Sequence, residues 1–525
     1  MSEDTARVDH QVMGMARGAS LNITGAACTQ LALLTLTVFL SRTLGSAGLG
    51  RYAQAYALLV LLVLVAALPF GSGTVRFIAM HRAEGDEAAV RGALRLGVGL
   101  TAVTALCLAA PLAALAPRLA DGVFHDPLLT TPLRLVALAL PAAALAESAL
   151  LATMGFSRMR ARALIKLIAE PVLRVGGFVI LVLLGLGLSG AMFAIVGSTA
   201  IEAALAGRAL RRYVRRYLGP AGVVPRYEPR QLLVFSLLSG GAALATTGLV
   251  WADTLILGAF RPSGEVGVYV AATKIVALAT FVLPAINQAF APRITNLYHR
   301  GETDRLQHAY RVVAGWNLRL TLPAFAVLVV FPADLLDLVG PGLASGAIAT
   351  VILVTGQLVN TATGPSAMVL TMSGRAGWSM ANNGAALVLN VGLNLWLVPA
   401  HGIVGAAAAW ALALIVVNLA RVAQVWLFLH MSPFHLGQLR ALLAGGLALL
   451  AGWSVEALTA GAIPGAARLV LGGFAVCAGY VAAISVLQFD AEDRQVVRML
   501  ARRLGVHRHP TRAGEAGGEG HGSAT

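Results

Sequence analysis

The sequence contains little charge and almost no cysteine. Of its 525 residues only 12% are charged, against about 25% in ordinary soluble proteins. The three cysteines, Cys28, Cys107 and Cys477, lie far apart within apolar stretches and form no C-x-x-C pair, so neither a disulfide framework nor a thiolate metal site is expected. Hydrophobic residues make up 58% of the chain, which is more than a fold in water could bury.

Sequence motifs of soluble catalysis are also missing. The chain has no Walker sequence, no H-E-x-x-H and no G-x-S-x-G, and Gly45, Gly48 and Gly50 do not follow the dinucleotide-binding order. We therefore expect no direct use of ATP, no organic cofactor and no enzyme activity. The net charge of +15 includes an Arg- and Tyr-rich run at 208–217. Because this run flanks an apolar span and no nucleic-acid motif accompanies it, it indicates membrane orientation rather than nucleic-acid binding.

Apolar stretches long enough to cross a bilayer recur along the chain. A transmembrane helix needs about 20 apolar residues, and lipid offers the backbone no hydrogen-bond partners. About fourteen such stretches occur between residues 18 and 487, which predicts an all-α polytopic membrane protein. Most of the 39 Lys and Arg residues fall in alternate loops, so the positive-inside rule places both termini in the cytoplasm. No small-residue cleavage site follows a short apolar core, and a cleaved signal peptide is not expected.

An internal repeat relates the two halves of the chain. The pattern H-R-x-E-x-D occurs at 81–86 and again at 299–304. Upstream of both copies, matching residues keep nearly the same separation of about 217 positions, namely Gly50 and Gly267, Tyr52 and Tyr269, Pro69 and Pro284, and Arg76 and Arg293. Six predicted spans separate the copies. Because an even number of spans preserves orientation, we predict two parallel six-helix bundles with two more helices appended.

This organisation predicts six segments and no soluble domain. They are a cytoplasmic N-terminus (1–17), an N-terminal six-helix bundle (18–217), a cytoplasmic linker (218–231), a C-terminal six-helix bundle (232–430), helices 13 and 14 (431–488), and a cytoplasmic tail (489–525). Alternating Arg and apolar residues predict an amphipathic helix in the first part of the tail. Its Gly-rich remainder is expected to be disordered.

Three ionisable residues inside apolar spans stand out as functional candidates. Charges in lipid are costly and are expected to face a cavity or a partner. Asp253, Lys274 and Arg319 have no opposite charge within a helical turn. With Arg76 at the end of the second span, Lys274 predicts a basic cleft for an anionic ligand such as a phosphate. The alternative is a structural bridge between Lys274 and Asp253.

Other polar residues within spans have a structural explanation. Glu170 and Arg174 are four residues apart and can pair with each other. Asn390 and Asn394 share one face of the eleventh span. Their amide oxygens could bind a small hard cation beside a carboxylate, or they could simply hydrogen-bond between helices.

Several short motifs occur in a characteristic order. The first half contains S-R-T-L-G at 41–45, G-R-Y-A at 50–53 and R-F-I-A at 76–79. The second half contains D-T-L-I-L-G at 253–258, G-V-Y-V-A-A-T-K at 267–274, G-P at 364–365, S-G-R at 373–375, N-x-x-x-N at 390–394 and G-I-V-G-A-A at 402–407. Together with about fourteen spans, this order resembles that of bacterial polysaccharide flippases of the multidrug/oligosaccharidyl-lipid/polysaccharide (MOP) exporter superfamily.

The resemblance implies two six-helix bundles arranged as a V around a central cavity. It implies transport of undecaprenyl-pyrophosphate-linked oligosaccharide from the inner to the outer leaflet of the bacterial inner membrane, by alternating access, for cell-surface polysaccharide or lipopolysaccharide biosynthesis. A polysaccharide polymerase or assembly protein would be a partner.

The resemblance also implies roles for individual residues. In the similar lipid II flippases, basic residues contact the lipid headgroup, and the candidates here are Arg42, Arg51, Arg76 and Lys274, to which we add Arg319. Those flippases hold sodium with residues that match Asp253, Asn390 and Asn394, so coupling to Na⁺ or H⁺ is expected.

Two alternatives remain at the level of sequence. A multidrug/cation antiporter of the same fold would use Asp253 and would need an acidic, aromatic cavity. A membrane polysaccharide polymerase would need large outer loops with acids or arginines, which this chain lacks.

Overall fold

The described part of the chain is helical and contains no β-strand. A computed structural model of the chain describes residues 3–67, 71–157, 159–218, 223–281 and 283–487, without the side chains of 3–27, 238, 242 and 285. The predicted tail at 489–525 with its amphipathic helix, and Pro69 of the repeat, lie outside the described residues.

Seventeen α-helices make up the described residues. They are α1 (Glu3–Ala67), α2 (Gly71–Ala83), α3 (Glu87–Gly122), α4 (Thr130–Gly155), α5 (Arg160–Leu164), α6 (Glu170–Leu183), α7 (Gly187–Tyr217), α8 (Pro229–Phe260), α9 (Ser263–Ala279), α10 (Leu283–His299), α11 (Thr303–Val330), α12 (Pro332–Val339), α13 (Ala347–Ala362), α14 (Ser366–Met372), α15 (Ala376–Leu429), α16 (Leu436–Thr459) and α17 (Gly465–Val486). A π-helical turn, Ile165–Ala169, joins α5 to α6. The predicted N-terminal segment 1–17 is helical from Glu3 onward.

The two longest helices each contain two membrane spans. At about 1.5 Å per residue, the 54 residues of α15 would extend far beyond the roughly 30 Å of a bilayer core. They fold back at Gly402, whose φ of 54° is readily adopted only by glycine. Asn382 and Gln424, 42 positions apart, exchange hydrogen bonds of 2.7 and 3.0 Å across the resulting hairpin. In α1 the corresponding break is at Gly45, with φ of 70°.

These breaks account for the number of spans. By length and hydropathy, 10 helical stretches in the described residues can cross a membrane, and two of them are the folded-back α1 and α15. The paired segments α5–α6 and α9–α10 are each long enough together to add one crossing, which gives two further crossings. The predicted all-α polytopic fold of about fourteen spans is confirmed.

Successive crossings place the loops at two ends of the bundle. We call one the basic end, because its loops include Arg82, Arg300 and Arg375; the other, with the loops at Gly45 and Asp126, is the distal end. At the basic end, the predicted linker is attached to the first half: Arg226 pairs with Asp86 at 2.8 Å, and its N–H donates to Ala88 O at 2.9 Å. The N–H of Ala89 and the charge of Arg226 lower the pKa of Asp86.

The distal end is closed by polar contacts between the halves. Asp126 accepts hydrogen bonds of 2.7 Å from both Arg51 Nε and Ser263 Oγ. Burial alone would raise the pKa of Asp126, but these hydrogen bonds and the Arg51 charge outweigh it and lower the pKa. Ser41 Oγ also donates to Val339 O at 2.8 Å. The first half therefore contacts the second through α9 and α12 at this end.

The two copies of the repeat meet each other at the same place. A side chain at Gly50 would overlap the carbonyl oxygen of Ser263, and one at Gly267 would overlap that of Ser46. Ser46 and Ser263 are related by the same separation as Gly50 and Gly267. Such a reciprocal contact is what two repeats related by a twofold axis would make. The boundaries of the two bundles stay a prediction.

Candidate substrate cavity and cation site

Two cationic side chains flank an aromatic pair where the halves meet. The ammonium of Lys274, on α9, lies 4.8 Å from the centre of the Trp251 ring. Trp251 meets Tyr56 edge to face at 5.5 Å, and the guanidinium of Arg174, on α6, lies 4.7 Å from the Tyr56 ring. Aromatic faces stabilise desolvated cations. The arrangement therefore holds two positive charges, one from each half, within the membrane.

A cavity of about 200 Å³ lies beside Lys274, and its lining includes Trp251, Asp253, Gln357 and Trp410. A second, narrower cavity also contacts Lys274 but is lined by Tyr52, Tyr56 and Leu33 of the first half. Lys274 thus lies between a cavity of mixed lining in the second half, whose polar groups include Asp253 and Gln357, and an apolar cavity shared by both halves.

Asp253 forms a separate group with neutral polar side chains. Its carboxylate accepts hydrogen bonds from Tyr269 Oη at 2.9 Å and from Asn394 Nδ2 at 2.8 Å, and Asn390 also lies beside it. All four side chains are buried. The amide oxygens of Asn390 and Asn394 accept no hydrogen bond from any described residue. A carboxylate beside free amide oxygens is a ligand set that suits a small hard cation.

The contacts of Lys274 decide between the two predictions made for it. Among the described residues, no salt bridge joins Lys274 to Asp253: the lysine lies over Trp251, and the aspartate is bound by Tyr269 and Asn394. The structural bridge is therefore absent, and the lysine faces a cavity.

The other predicted basic residues lie away from this cavity. Arg42 donates to Leu338 O at 2.7 Å and Arg51 pairs with Asp126, both at the distal end. Arg76 is exposed, with its guanidinium 4.4 Å from the ring centre of Phe235. Arg319 lies on α11, and its carbonyl accepts a hydrogen bond from Tyr480 of the last helix. The structure brings only Lys274, Asp253, Asn390 and Asn394 together.

Two buried acids in the first half, Glu170 and Glu202, each have a basic partner. Glu170 lies 3.3 Å from Arg174, as the spacing predicted, and Glu202 lies 3.1 Å from Lys166 in the π-helical turn. The pairing with Glu170 does not use all of the hydrogen-bonding capacity of Arg174. Its Nη1 lies 3.3 Å from Glu170, but its Nε is buried and forms no hydrogen bond with any described residue.

Sequence reasoning missed the residues that link these groups. Tyr56, Trp251 and Tyr269 carry no charge, and Arg174 was assigned only to its neighbour. A usable signal existed: Trp251 and Tyr269 lie two and five positions from Asp253 and Lys274. The distance from a ring to a cation on another helix depends on how the two helices cross, and the hydrophobic periodicity of the sequence does not predict that geometry.

The helical fold and its internal cavity beside buried charged side chains define a multi-pass membrane protein of transporter architecture. The chain belongs to the polysaccharide biosynthesis protein family, which matches residues 15–298. The MatE family matches residues 240–396. The predicted membership of the MOP superfamily is thereby confirmed.

Two curated proteins from the archaeon Haloferax volcanii are similar to part of the chain. The probable flippase AglR is 29% identical over 170 residues, which are 31% of this chain and 35% of AglR. A probable low-salt glycan biosynthesis flippase is 26% identical over 188 residues, which are 35% of this chain and 39% of that protein. The chain therefore spans little more than a third of these relatives.

Solved structures share the whole fold. A lipid II flippase, MurJ, in an inward closed conformation has a TM-score of 0.71 at 11% identity, covering 89% of this chain and 98% of that one. An inward-facing multidrug resistance MATE family transporter of the MOP superfamily has a TM-score of 0.60 at 14% identity, covering 78% and 98%. At such identities the likeness concerns the fold alone.

Proposed function

We propose that the protein is a flippase that moves a polyprenyl-pyrophosphate-linked oligosaccharide, with undecaprenol as the carrier, from the inner to the outer leaflet of a bacterial inner membrane. Its basic end and both termini face the cytoplasm, as the positive-inside rule favours. The names of the two Haloferax relatives support a flippase, and the closed distal end is consistent with loading from the cytoplasmic side.

The observation that carries this proposal is the pair of cations around Trp251 and Tyr56. Lys274 has no acidic partner in the described residues, and Arg174, whose Nη1 lies 3.3 Å from Glu170, keeps a buried Nε without a hydrogen-bond partner among them. A pyrophosphate supplies the negative charge and the acceptor oxygens that both groups need inside a membrane. Because one cation comes from each half, a bound pyrophosphate would contact both halves at once, as alternating access requires.

The Asp253 group is the proposed coupling site. The donor set fits a sodium ion: the Asp253 carboxylate, the amide oxygens of Asn390 and Asn394, and the Tyr269 hydroxyl would hold it. When bound, the ion would supply the positive charge that balances the buried carboxylate. Asp253 lines the same cavity as Lys274, so ion and substrate would act on one set of helices.

A multidrug/cation antiporter is the competing function, and Asp253 with the MatE match supports it. Its substrate would be cationic and would meet the charges of Lys274 and Arg174 beside the cavity, which disfavours binding. No polymerase is proposed.

Replacing Lys274 by Ala tests the proposal. We expect Lys274→Ala to reduce translocation of a fluorescent undecaprenyl-pyrophosphate-linked oligosaccharide in proteoliposomes at least about tenfold, since losing one charged hydrogen bond costs about 1.5–3 kcal/mol. Lys274→Arg, which keeps the charge, should retain part of the activity.

Arg134→Ala is the matched control, because it removes an exposed positive charge on α4. It should translocate the lipid like the wild type. Full activity of Lys274→Ala would contradict the proposal, and transport of a cationic dye by the wild type without lipid translocation would establish the antiporter instead.

A further inference from the structure

A chain of side-chain hydrogen bonds runs through the second half toward the Lys274 cavity. Arg421 Nη1 donates to Asn418 Oδ1 at 3.2 Å, Asn418 Nδ2 donates to Asn360 Oδ1 at 3.2 Å, and Asn360 Nδ2 donates to Gln357 Oε1 at 2.9 Å. The four residues come from α13 and α15. Every bond points the same way, from the guanidinium to Gln357.

This direction is imposed by chemistry. A guanidinium can only donate, so Asn418 must turn its oxygen toward Arg421 and its N–H groups away. The amide NH₂ of Asn418 has two N–H groups, and Nδ2 also donates to Leu414 O at 2.9 Å, which holds the Asn418 side chain in this orientation. Each following amide must then accept from the previous one. Gln357 has its oxygen engaged by Asn360, so its NH₂ is the group left for a ligand.

The chain of amides borders three neighbouring cavities that share lining residues, which together we call the groove. Gln357 lines the cavity of Lys274 and also the next one, of about 190 Å³. Asn287 and Asn360 line that cavity and a further one of about 310 Å³, which reaches Arg421. The groove therefore runs from Lys274 toward the basic end between side chains that carry amides. Asn317, which donates to Asn287 at 3.1 Å, has a buried oxygen without a partner among the described residues.

We propose that this groove is the sugar-binding subsite of the substrate, and that Arg421 is a positioning residue that orients its amides. The inference rests on the proposed flippase function. Sugar hydroxyl and acetamido groups both donate and accept hydrogen bonds, as do the amides that line the groove. With the pyrophosphate at Lys274, the adjoining sugars would extend along Gln357 and Asn360 toward Arg421. Gln357 would donate to a sugar oxygen next to the pyrophosphate.

The experiment compares two lipids on the purified full-length protein. The probes are undecaprenyl pyrophosphate and undecaprenyl pyrophosphate carrying an N-acetylglucosamine disaccharide, with each Kd measured separately in nanodiscs. We expect the glycosylated lipid to bind the wild type at least about tenfold more tightly, which is about 1.4 kcal/mol. Asn360→Leu should abolish this preference and leave the Kd of the bare lipid unchanged.

Arg421 provides the sharper variant, because it does not contact Gln357. Arg421→Met frees the amides to turn, and we expect it to abolish the preference for the glycosylated lipid. Arg421→Lys keeps a side chain that can only donate hydrogen bonds, so this variant should keep the preference for the glycosylated lipid. If the role of Arg421 were purely structural, Arg421→Met would instead weaken the binding of both lipids equally. Asn382→Leu is the control: this amide pairs with Gln424 on the neighbouring segment and lines none of these cavities, so the preference should persist.

The outcomes separate the two levels of the proposal. Equal binding of both lipids by the wild type overturns the sugar subsite and leaves the flippase intact. Binding of neither lipid overturns both. An unchanged preference in Arg421→Met and Asn360→Leu, with melting temperatures like the wild type, shows that the sugars lie elsewhere.

Discussion

A single buried carboxylate defines the coupling site at the residue scale. Asp253 receives hydrogen bonds from neutral groups only, Tyr269 and Asn394. A buried charge without a counter-charge is unfavourable, so a cation or a proton must balance it.

We therefore expect Na⁺ to stabilise the wild type and not Asp253→Asn. Binding to the folded state alone adds about 2.7 kcal/mol at 100 times Kd. Melting temperatures in sodium chloride and in choline chloride measure the effect. Asn383→Ala, on α15 with Asn390 and Asn394 but bound to Thr246 and Arg421, should keep the sodium shift. An equal shift in Asp253→Asn would place the ion elsewhere.

Sequence predicted the charged residues of the site better than their neighbours. The resemblance to lipid II flippases implied that Asp253, Asn390 and Asn394 act together, and Asp253 stood out by itself because intramembrane charges are few and expensive. Arg174 was expected to satisfy Glu170, and it does, yet the same guanidinium lies over Tyr56. Pairing within one helix follows from spacing, whereas contact with another helix depends on the packing angle, which the sequence does not give.

At the scale of elements, α1 and α9 pack as closely as glycine allows. Gly50 and Gly267 each face the backbone of the other copy. We expect Gly50→Ala and Gly267→Ala to destabilise the protein to a similar degree, by at least about 1–3 kcal/mol, because backbone cannot yield to a methyl group.

Thermal unfolding in detergent measures this change. Gly99→Ala on α3, where nothing lies within 4 Å of the added methyl, should be neutral. A loss at one of the two glycines without the other would contradict the reciprocal geometry.

The repeat was visible in the sequence, but its contact was not. Matching residues about 217 positions apart predicted two similar halves. They did not indicate that Gly50 and Gly267 themselves touch, because a sequence repeat shows that two halves have similar structures but not how the halves pack against each other. The sequence predicted separate spans where the structure has the folded-back helices α1 and α15. In each of these helices the chain reverses at a single glycine, Gly45 or Gly402, rather than in a loop of several residues.

For the whole molecule, Asp126 links the halves at the distal end through Ser263, while Arg51 of its own half holds the carboxylate in place. Burial raises the pKa of Asp126, whereas the hydrogen bonds from Arg51 and Ser263 and the Arg51 charge lower it and outweigh burial. Of these groups Ser263 alone belongs to the second half, and an ionised Asp126 is the stronger acceptor for its hydroxyl. Above the ordinary aspartate pKa of about 3.9, the ionised Asp126 stabilises the closed distal end. This stabilisation is lost as the pH falls through the lowered pKa of Asp126.

We expect Asp126→Ala to favour opening of the distal end already at neutral pH. Spin labels at exposed positions 128 and 400, in a cysteine-free background, would report the separation by electron–electron distance measurement. The wild type should show the longer distance only on strong acidification. A distance in Asp126→Ala that equals the wild type at pH 7 would show that other contacts keep this end closed.

The reciprocal contact of Gly50 and Gly267 also bears on the ancestry of the chain. A surface that fits its own copy is what an isologous homodimer needs. An ancestor of half the present length could have joined a second, identical subunit through this segment. After duplication and fusion, the linker that carries Arg226 became bound to the first half, and the former subunit interface became the place where the two halves meet.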